Sequence, residues 1–160
     1  MQVSRAFYDD MHTQKGDPWN YTRRAAEILR HDTLLSVVSH HTSGRNGSAP
    51  YILDVGCSTG VFTRKLSAIS SRSFGMDISE SALNHPSNIP SSSVHPAFIV
   101  GSSSVIPFKS STFDALILAD GISEWQLSDS DRTSMLAETH RVLRTGGVAL
   151  FTDYMRPSDF

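Results

Sequence analysis

The segment LDVGCSTG, Leu53–Gly60, constrains the fold more than any other part of the chain. YILDVG (Tyr51–Gly56) is a short apolar run that carries Asp54 and ends in a glycine. VFTRKLSAIS (Val61–Ser70) follows at helical period. An apolar run that stops at glycine and restarts as a helix reads as a buried strand, a tight turn and a crossover helix. Glycine at Gly56 and Gly60 permits the turn and a close approach to the backbone. The new helix presents unpaired N–H groups there.

The same alternation continues downstream. SFGMDIS (Ser73–Ser79) is a second strand ending at an acid, Asp77, and Ser79 is the expected N-cap of a short helix. Ala97–Gly101, Thr112–Asp120 and Val148–Tyr154 are three more strands. Ser128–Arg144 is an amphipathic helix with Met135, Leu136, His140 and Val142–Leu143 inward and Gly146–Gly147 closing it. Upstream, Tyr21–Val38 reads as a helix with Ala25, Ile28, Leu29, Leu35 and Val38 on one stripe. Ser39–Pro50 and His85–Pro96 read as loops. Strands alternating with helices predict an α/β, Rossmann-like, doubly wound and mostly parallel sheet with helices on both faces. The organisation expected is an N-terminal helical lid and substrate segment over 1–45 and a ligand-binding core over 46–160.

Composition narrows the partners. Lys+Arg number 14 against Asp+Glu 16, so no basic field marks a nucleic-acid groove or an anionic membrane surface. One cysteine, Cys57, excludes an internal disulfide framework and a cysteine-rich zinc module, and no metal is expected. No run approaches the ~18 apolar residues of a membrane helix, and the N-terminus lacks the apolar core of a secretion signal, so the cytoplasm is the expected compartment.

An acid at the end of the second strand accepts both hydroxyls of a ribose in open α/β sheets, which assigns Asp77 to an adenosine ligand. A nicotinamide dehydrogenase has the same outline, but its G-x-G-x-x-G lacks a counterpart here, because Ser58 stands at the middle glycine and Asp54 precedes the turn. An acid at that point suits a nucleoside that carries an ammonium group.

The order ILDVGCSTGVFTRKL, GMDISESAL, SSSVIPFKSSTFDALILADGISEW and ETHRVLRTGGVALF resembles the class I S-adenosylmethionine-dependent methyltransferases over Tyr51–Tyr154. FYDDMHTQKGDPWNYTRRAAEILRHDTLL resembles the N-terminus of the nodulation-protein N-methyltransferase group, on fewer residues. The resemblance implies an enzyme that uses S-adenosyl-L-methionine and releases S-adenosyl-L-homocysteine. It places Asp54 at the methionine ammonium, directly or through water. Gly56, Cys57, Ser58 and Gly60 line the methionine and ribose, Asp77 takes the ribose hydroxyls, and Ile78 packs on adenine. Ser102 and Ser103 stand where many relatives carry an acid for the adenine amino group, which weakens that contact. Asp120 and Gly121 lie next to the transferred methyl. Tyr8, Trp19 and Tyr21 form a water-excluding lid, with Trp19 and Tyr21 also on the cofactor.

Methyl transfer to an activated sulfonium needs alignment first, worth on the order of 7–11 kcal/mol. A base is required only if the acceptor must lose a proton, and Asp120 and Glu124 are the residues expected for it, with Trp125 beside them. The implied acceptor is a small-molecule amine or hydroxyl. The rival reading is a non-catalytic adenosyl-ligand-binding or scaffold protein of the same fold, or a half-domain completed by a partner. Plainer roles are expected elsewhere: Cys57 as a small loop residue, His40–His41 as solvated, His140 as a core histidine. Family members continue beyond strand five with a sixth and an antiparallel seventh strand. Only six residues follow Tyr154, so the core is expected to lack that hairpin and to leave the strand-five edge open to a second copy or a partner.

Overall fold

The computed structural model describes residues 4–43, 48–85, 96–122 and 127–153. In chain order the elements are α1 (Arg5–Lys15), α2 (Ala25–Thr42), β1 (Tyr51–Val55), α3 (Val61–Leu66), β2 (Arg72–Asp77), α4 (Glu80–Leu83), β3 (Ala97–Val100), β4 (Phe113–Ala119), α5 (Asp129–Val142) and β5 (Leu143–Thr152). All strand pairings are parallel, in the order β3-β2-β1-β4-β5. The chain steps outward from β1 to β3, then returns to the other side of β1 as β4. The carboxyl ends of β1 and β4 therefore flank the point where strand order reverses, which is where open α/β sheets hold ligands.

The two central strands are apolar because both of their faces are covered. Leu53 and Val55 of β1 stand beside Leu116 and Leu118 of β4 and pack with Met135 and Val142 of α5. Ile52, Ala115 and Ile117 face the other way, onto Leu34 and Val38 of α2 and Phe62 and Leu66 of α3. Leu53, Leu116 and Ile117 are fully buried; each such side chain contributes about 1.5–3 kcal/mol. The outer strand β5 has no fully buried residue.

Several boundaries and faces differ from expectation. Helix α2 begins at Ala25 and runs to Thr42, into the expected loop, and its buried stripe is Glu27, His31, Leu34, Val38 and Thr42. Ala25, Ile28 and Leu29 are exposed, Leu29 at 69%. Val38 is on the expected stripe, but apolar spacing misplaced the rest because three polar side chains, Glu27, His31 and Thr42, occupy it. In α5 the buried residues are Met135, Thr139 and Val142; Leu136 and His140 are exposed, so His140 is not a core histidine. Gly146–Gly147 do not close α5. They lie inside β5, where pairing jumps from Phe113–Leu143 to Ala115–Val148, a bulge that absorbs extra residues. Helix α1 has no apolar stripe, with His12 its one buried residue, and sequence periodicity did not reveal it. Ser79 caps α4 as expected, accepting from Ala82 N. The middle of the expected loops, 44–47 and 86–95, and Tyr154 lie outside the described residues.

Candidate functional site

A cavity of about 440 Å³ opens at the carboxyl ends of the strands. All five strands supply wall residues: Val55 and Gly56 after β1, Asp77 and Ile78 after β2, Gly101, Ser102 and Ser103 after β3, Leu118–Gly121 at the end of β4, and Asp153 after β5. The N-terminal segment covers it with Tyr8, His12, Trp19, Tyr21, Arg24, Glu27 and Arg30.

At one end the turn after β1 is drawn against β2. Gly56 N and Cys57 N both donate to Met76 O, at 2.7 and 3.1 Å. Gly56 and Gly60 have φ of 73° and 69°, the left-handed backbone that glycine adopts without strain. Ser58 shares that conformation with φ 50°. Its N–H donates to Asp77 Oδ2 at 2.7 Å, and Ser79 N–H donates to Asp77 Oδ1 at 2.8 Å. Burial raises the Asp77 carboxyl above its ordinary value, against the pull of those two amides. A carboxylate has about four lone-pair positions. Two are taken, and the remainder suit two vicinal hydroxyls in the cavity.

Asp54, Cys57 and Gly60 do not reach the cavity wall. Asp54 is buried beneath the turn and accepts from Thr63 Oγ1 at 2.6 Å. Burial lifts its carboxyl to about 7, opposed by Thr63 and assisted by Asp77. Burial also pushes the Cys57 thiol well up, which keeps it in the unreactive thiol form.

The other end is built from side-chain charges. Arg30 of α2 bridges Glu27, at 2.6 Å, and Asp120 at the exit of β4. Asp120 has φ 60°, strained for a non-glycine residue. Burial raises its carboxyl, with Arg30 pulling the other way. Tyr21 lines the cavity beside this group and lies 5.2 Å from the His31 ring, which stacks on Phe62 at 5.0 Å. Burial drives the Tyr21 phenol upward, so it stays protonated. Glu124 and Trp125 lie outside the described residues.

The model of the family described as "Methyltransferase domain" matches residues 52–147. The chain belongs to that family. No curated protein matches the sequence. Among solved structures, the methyltransferase domain is similar to the N-methyltransferase NodS of Bradyrhizobium japonicum WM9, solved with S-adenosyl-L-homocysteine. Identity is 19%, coverage 90% of this chain and 71% of that one, and the TM-score 0.73. Magnesium protoporphyrin IX methyltransferase of Synechocystis PCC 6803, with bound SAM, gives 17%, 89%, 73% and 0.65. A chain of the Haloferax volcanii complex between the Trm112 methyltransferase activator and a methyltransferase gives 19%, 89%, 57% and 0.65. The chain spans 47–64% of the length of several structures it matches.

Within this methyltransferase domain, the cavity joins most of the residues expected from sequence: Tyr8, Trp19, Tyr21, Gly56, Ser58, Asp77, Ile78, Ser102, Ser103, Asp120 and Gly121. Sequence reasoning missed His12, Arg24, Glu27, Arg30 and Asp153. Glu27 and Arg30 are three apart on one helix face, a visible signal. His12 had none, because its partner is 46 residues away. Among the described residues no helix is long and apolar enough to cross a membrane.

Proposed function

We propose that the protein is an S-adenosyl-L-methionine-dependent methyltransferase that acts on a small-molecule amine or hydroxyl by in-line displacement. The observation that carries this reading is Asp77. It is a buried carboxylate at the end of β2, held by two backbone amides and facing a strand-end cavity. Bound there, the cofactor would supply a methyl group already activated by its sulfonium.

The residues divide the work. Asp77 receives the ribose hydroxyls. Ile78, 36% exposed, offers an apolar surface to adenine, and Ser102 and Ser103 supply polar atoms at its edge. Gly56, Cys57, Ser58 and Gly60 shape the turn that receives the methionine portion. Asp54 supports that turn through Thr63, and an ammonium bound above it would favour its ionised form. Trp19, Tyr21 and Tyr8 exclude water and fix the line of attack. Asp120 faces the cavity with Gly121 and takes a proton from an acceptor that must lose one; Glu124 is its alternate. Residues 1–45 act as lid and acceptor segment, and 46–160 as the cofactor core.

The test is isothermal titration with S-adenosyl-L-homocysteine beside Asp77→Ala, followed by an acceptor panel. Micromolar binding lost in the variant supports the reading, and no binding by the wild type defeats it. Among the described residues β5 is the last strand of the sheet, and that edge favours one second reading, an adenosyl-binding unit that a partner completes along the outer edge of β5. Binding without turnover on any acceptor, with a stable hetero-complex, would select it.

A further inference from the structure

The two backbone amides that hold Asp77 belong to Ser58 and Ser79. The side chains of those same two serines are both held by α1. Ser58 Oγ lies 2.8 Å from His12 Nε2. Ser79 Oγ donates to Asp9 Oδ1 at 2.8 Å, and Asp9 Oδ1 also accepts from Ser81 N at 3.1 Å. Asp9 and His12 are three residues apart, on one face of α1. The result is a closed ring from α1 through Ser58, Asp77 and Ser79 back to α1.

The His12 arm is oriented. Its Nδ1 faces Tyr8 O at 2.9 Å, and a carbonyl only accepts, so Nδ1 carries the proton. In the neutral ring Nε2 then accepts the Ser58 hydroxyl proton. His12 and Ser58 are 5% and 3% exposed, so the bond is largely shielded from bulk water. Ser58 sits at φ 50°, where a residue with a Cβ stays only if its surroundings hold it. In that conformation its amide donates to Asp77.

We propose that His12 is a positioning residue for the nucleoside site, which holds Ser58 in its left-handed conformation and thereby keeps Asp77 aimed into the cavity. The proposal rests on the adenosyl reading of that cavity for its binding arm alone. Helix α1 is then part of the site's geometry and more than a cover over it.

The experiment is a two-residue cycle read by titration with S-adenosyl-L-homocysteine and by amide hydrogen exchange of residue 58 in the unliganded protein. Glycine adopts the required backbone without help, so Ser58→Gly removes the need for His12. His12→Ala is expected to weaken binding about tenfold, the scale of one hydrogen bond. The affinity of Ser58→Gly is the reference for the second arm, and His12→Ala/Ser58→Gly should match it whatever its value. Exchange at residue 58 should accelerate in His12→Ala and return to protection in the double variant, with core amides such as Leu116 unchanged. His12→Gln, which can still reach the hydroxyl, should recover part of the loss. Equal weakening by His12→Ala in both backgrounds would mean α1 acts only as a cover, and would overturn the proposal. Unaltered exchange at residue 58 in His12→Ala would overturn it whatever the titration shows. A wild type that ignores the ligand yet shows the expected exchange pattern would defeat the adenosyl reading and leave the His12 assignment supported.

Discussion

The two ends of the cavity are held by different forces. At the end proposed for the nucleoside, Asp77 is fixed by the amides of Ser58 and Ser79, and the turn that carries Ser58 is fixed by Met76 O. At the end proposed for the acceptor, Asp120 is fixed by Arg30, a side chain from a helix 90 residues earlier in sequence, which also carries the buried Glu27. Backbone amides remain donors whatever side chain they carry, although Ser58, which supplies one of them, is itself held by a side-chain bond to His12. An ion-pair triad holds only while all its members are present, because each uncompensated charge is costly to keep from water.

The sharpest way to break this contrast is Arg30→Met. It strands Glu27, which is 3% exposed, opposite Asp120. The expected loss is about 3–5 kcal/mol of folding stability, measured by denaturant unfolding. The triple variant Glu27→Gln/Arg30→Met/Asp120→Asn should recover most of it. Recovery failing would mean the acceptor end depends on more than charge balance.

Asp77→Ala comes next. It removes the shared acceptor of two buried amides, with an expected stability loss of about 2–3 kcal/mol and loss of detectable S-adenosyl-L-homocysteine binding. If Asp77→Asn binds as tightly as wild type, the charge of Asp77 is irrelevant and the contrast between the two ends weakens.

A smaller effect separates the ends by pH. Asp54 beneath the nucleoside turn is raised to about 7 by burial, and His31 on α2 is lowered to about 4 by burial, Arg30 and Lys65. The folded state holds the Asp54 proton more tightly than the unfolded chain, so that contribution is full below pH ~4 and is lost as pH rises toward 7. The folded state excludes the His31 proton, so that contribution is full above pH ~6.5 and is lost as pH falls toward 4. The slopes oppose each other, each up to about 1.4 kcal/mol per pH unit. Compared with wild type, unfolding free energies of Asp54→Asn should rise more steeply with pH between 4 and 6.5, and those of His31→Phe should fall more steeply. Parallel curves for all three proteins would mean neither group titrates differently on folding.

The smallest effect is His140→Ala. This side chain is exposed on α5, and the change should move stability by less than about 0.5 kcal/mol. Met135→Ala, on the buried face of the same helix, should cost about 2–5 kcal/mol.

The nucleoside end was legible in the sequence because its determinants are local. Gly56, Ser58, Asp77 and the Ser79 cap lie at the ends of consecutive elements, and parallel pairing of β1 and β2 brings them together. Asp54 was expected at the methionine ammonium, but its side chain turns to Thr63 and leaves the cavity wall to its neighbours. The acceptor end was legible only in part. Asp120 and Gly121 stood out at a strand end, while Arg30 and Glu27 hid in a helix whose apolar residues pointed to the wrong face. Helix α1 escaped altogether, because Asp9, His12 and Arg5 dock it through polar bonds, which leave no hydrophobic period to read.

Sequence alone determined the α/β architecture, the strand sequence and the glycine turn at the cavity, since apolar runs, glycines and strand-terminal acids act within a few residues of one another. Only the tertiary structure decided which residues of the first 43 face the cavity, that Arg30 joins Asp120, and that His12 meets Ser58. Those contacts join segments tens of residues apart, and each side chain finds its partner only after the sheet has placed both within hydrogen-bond reach.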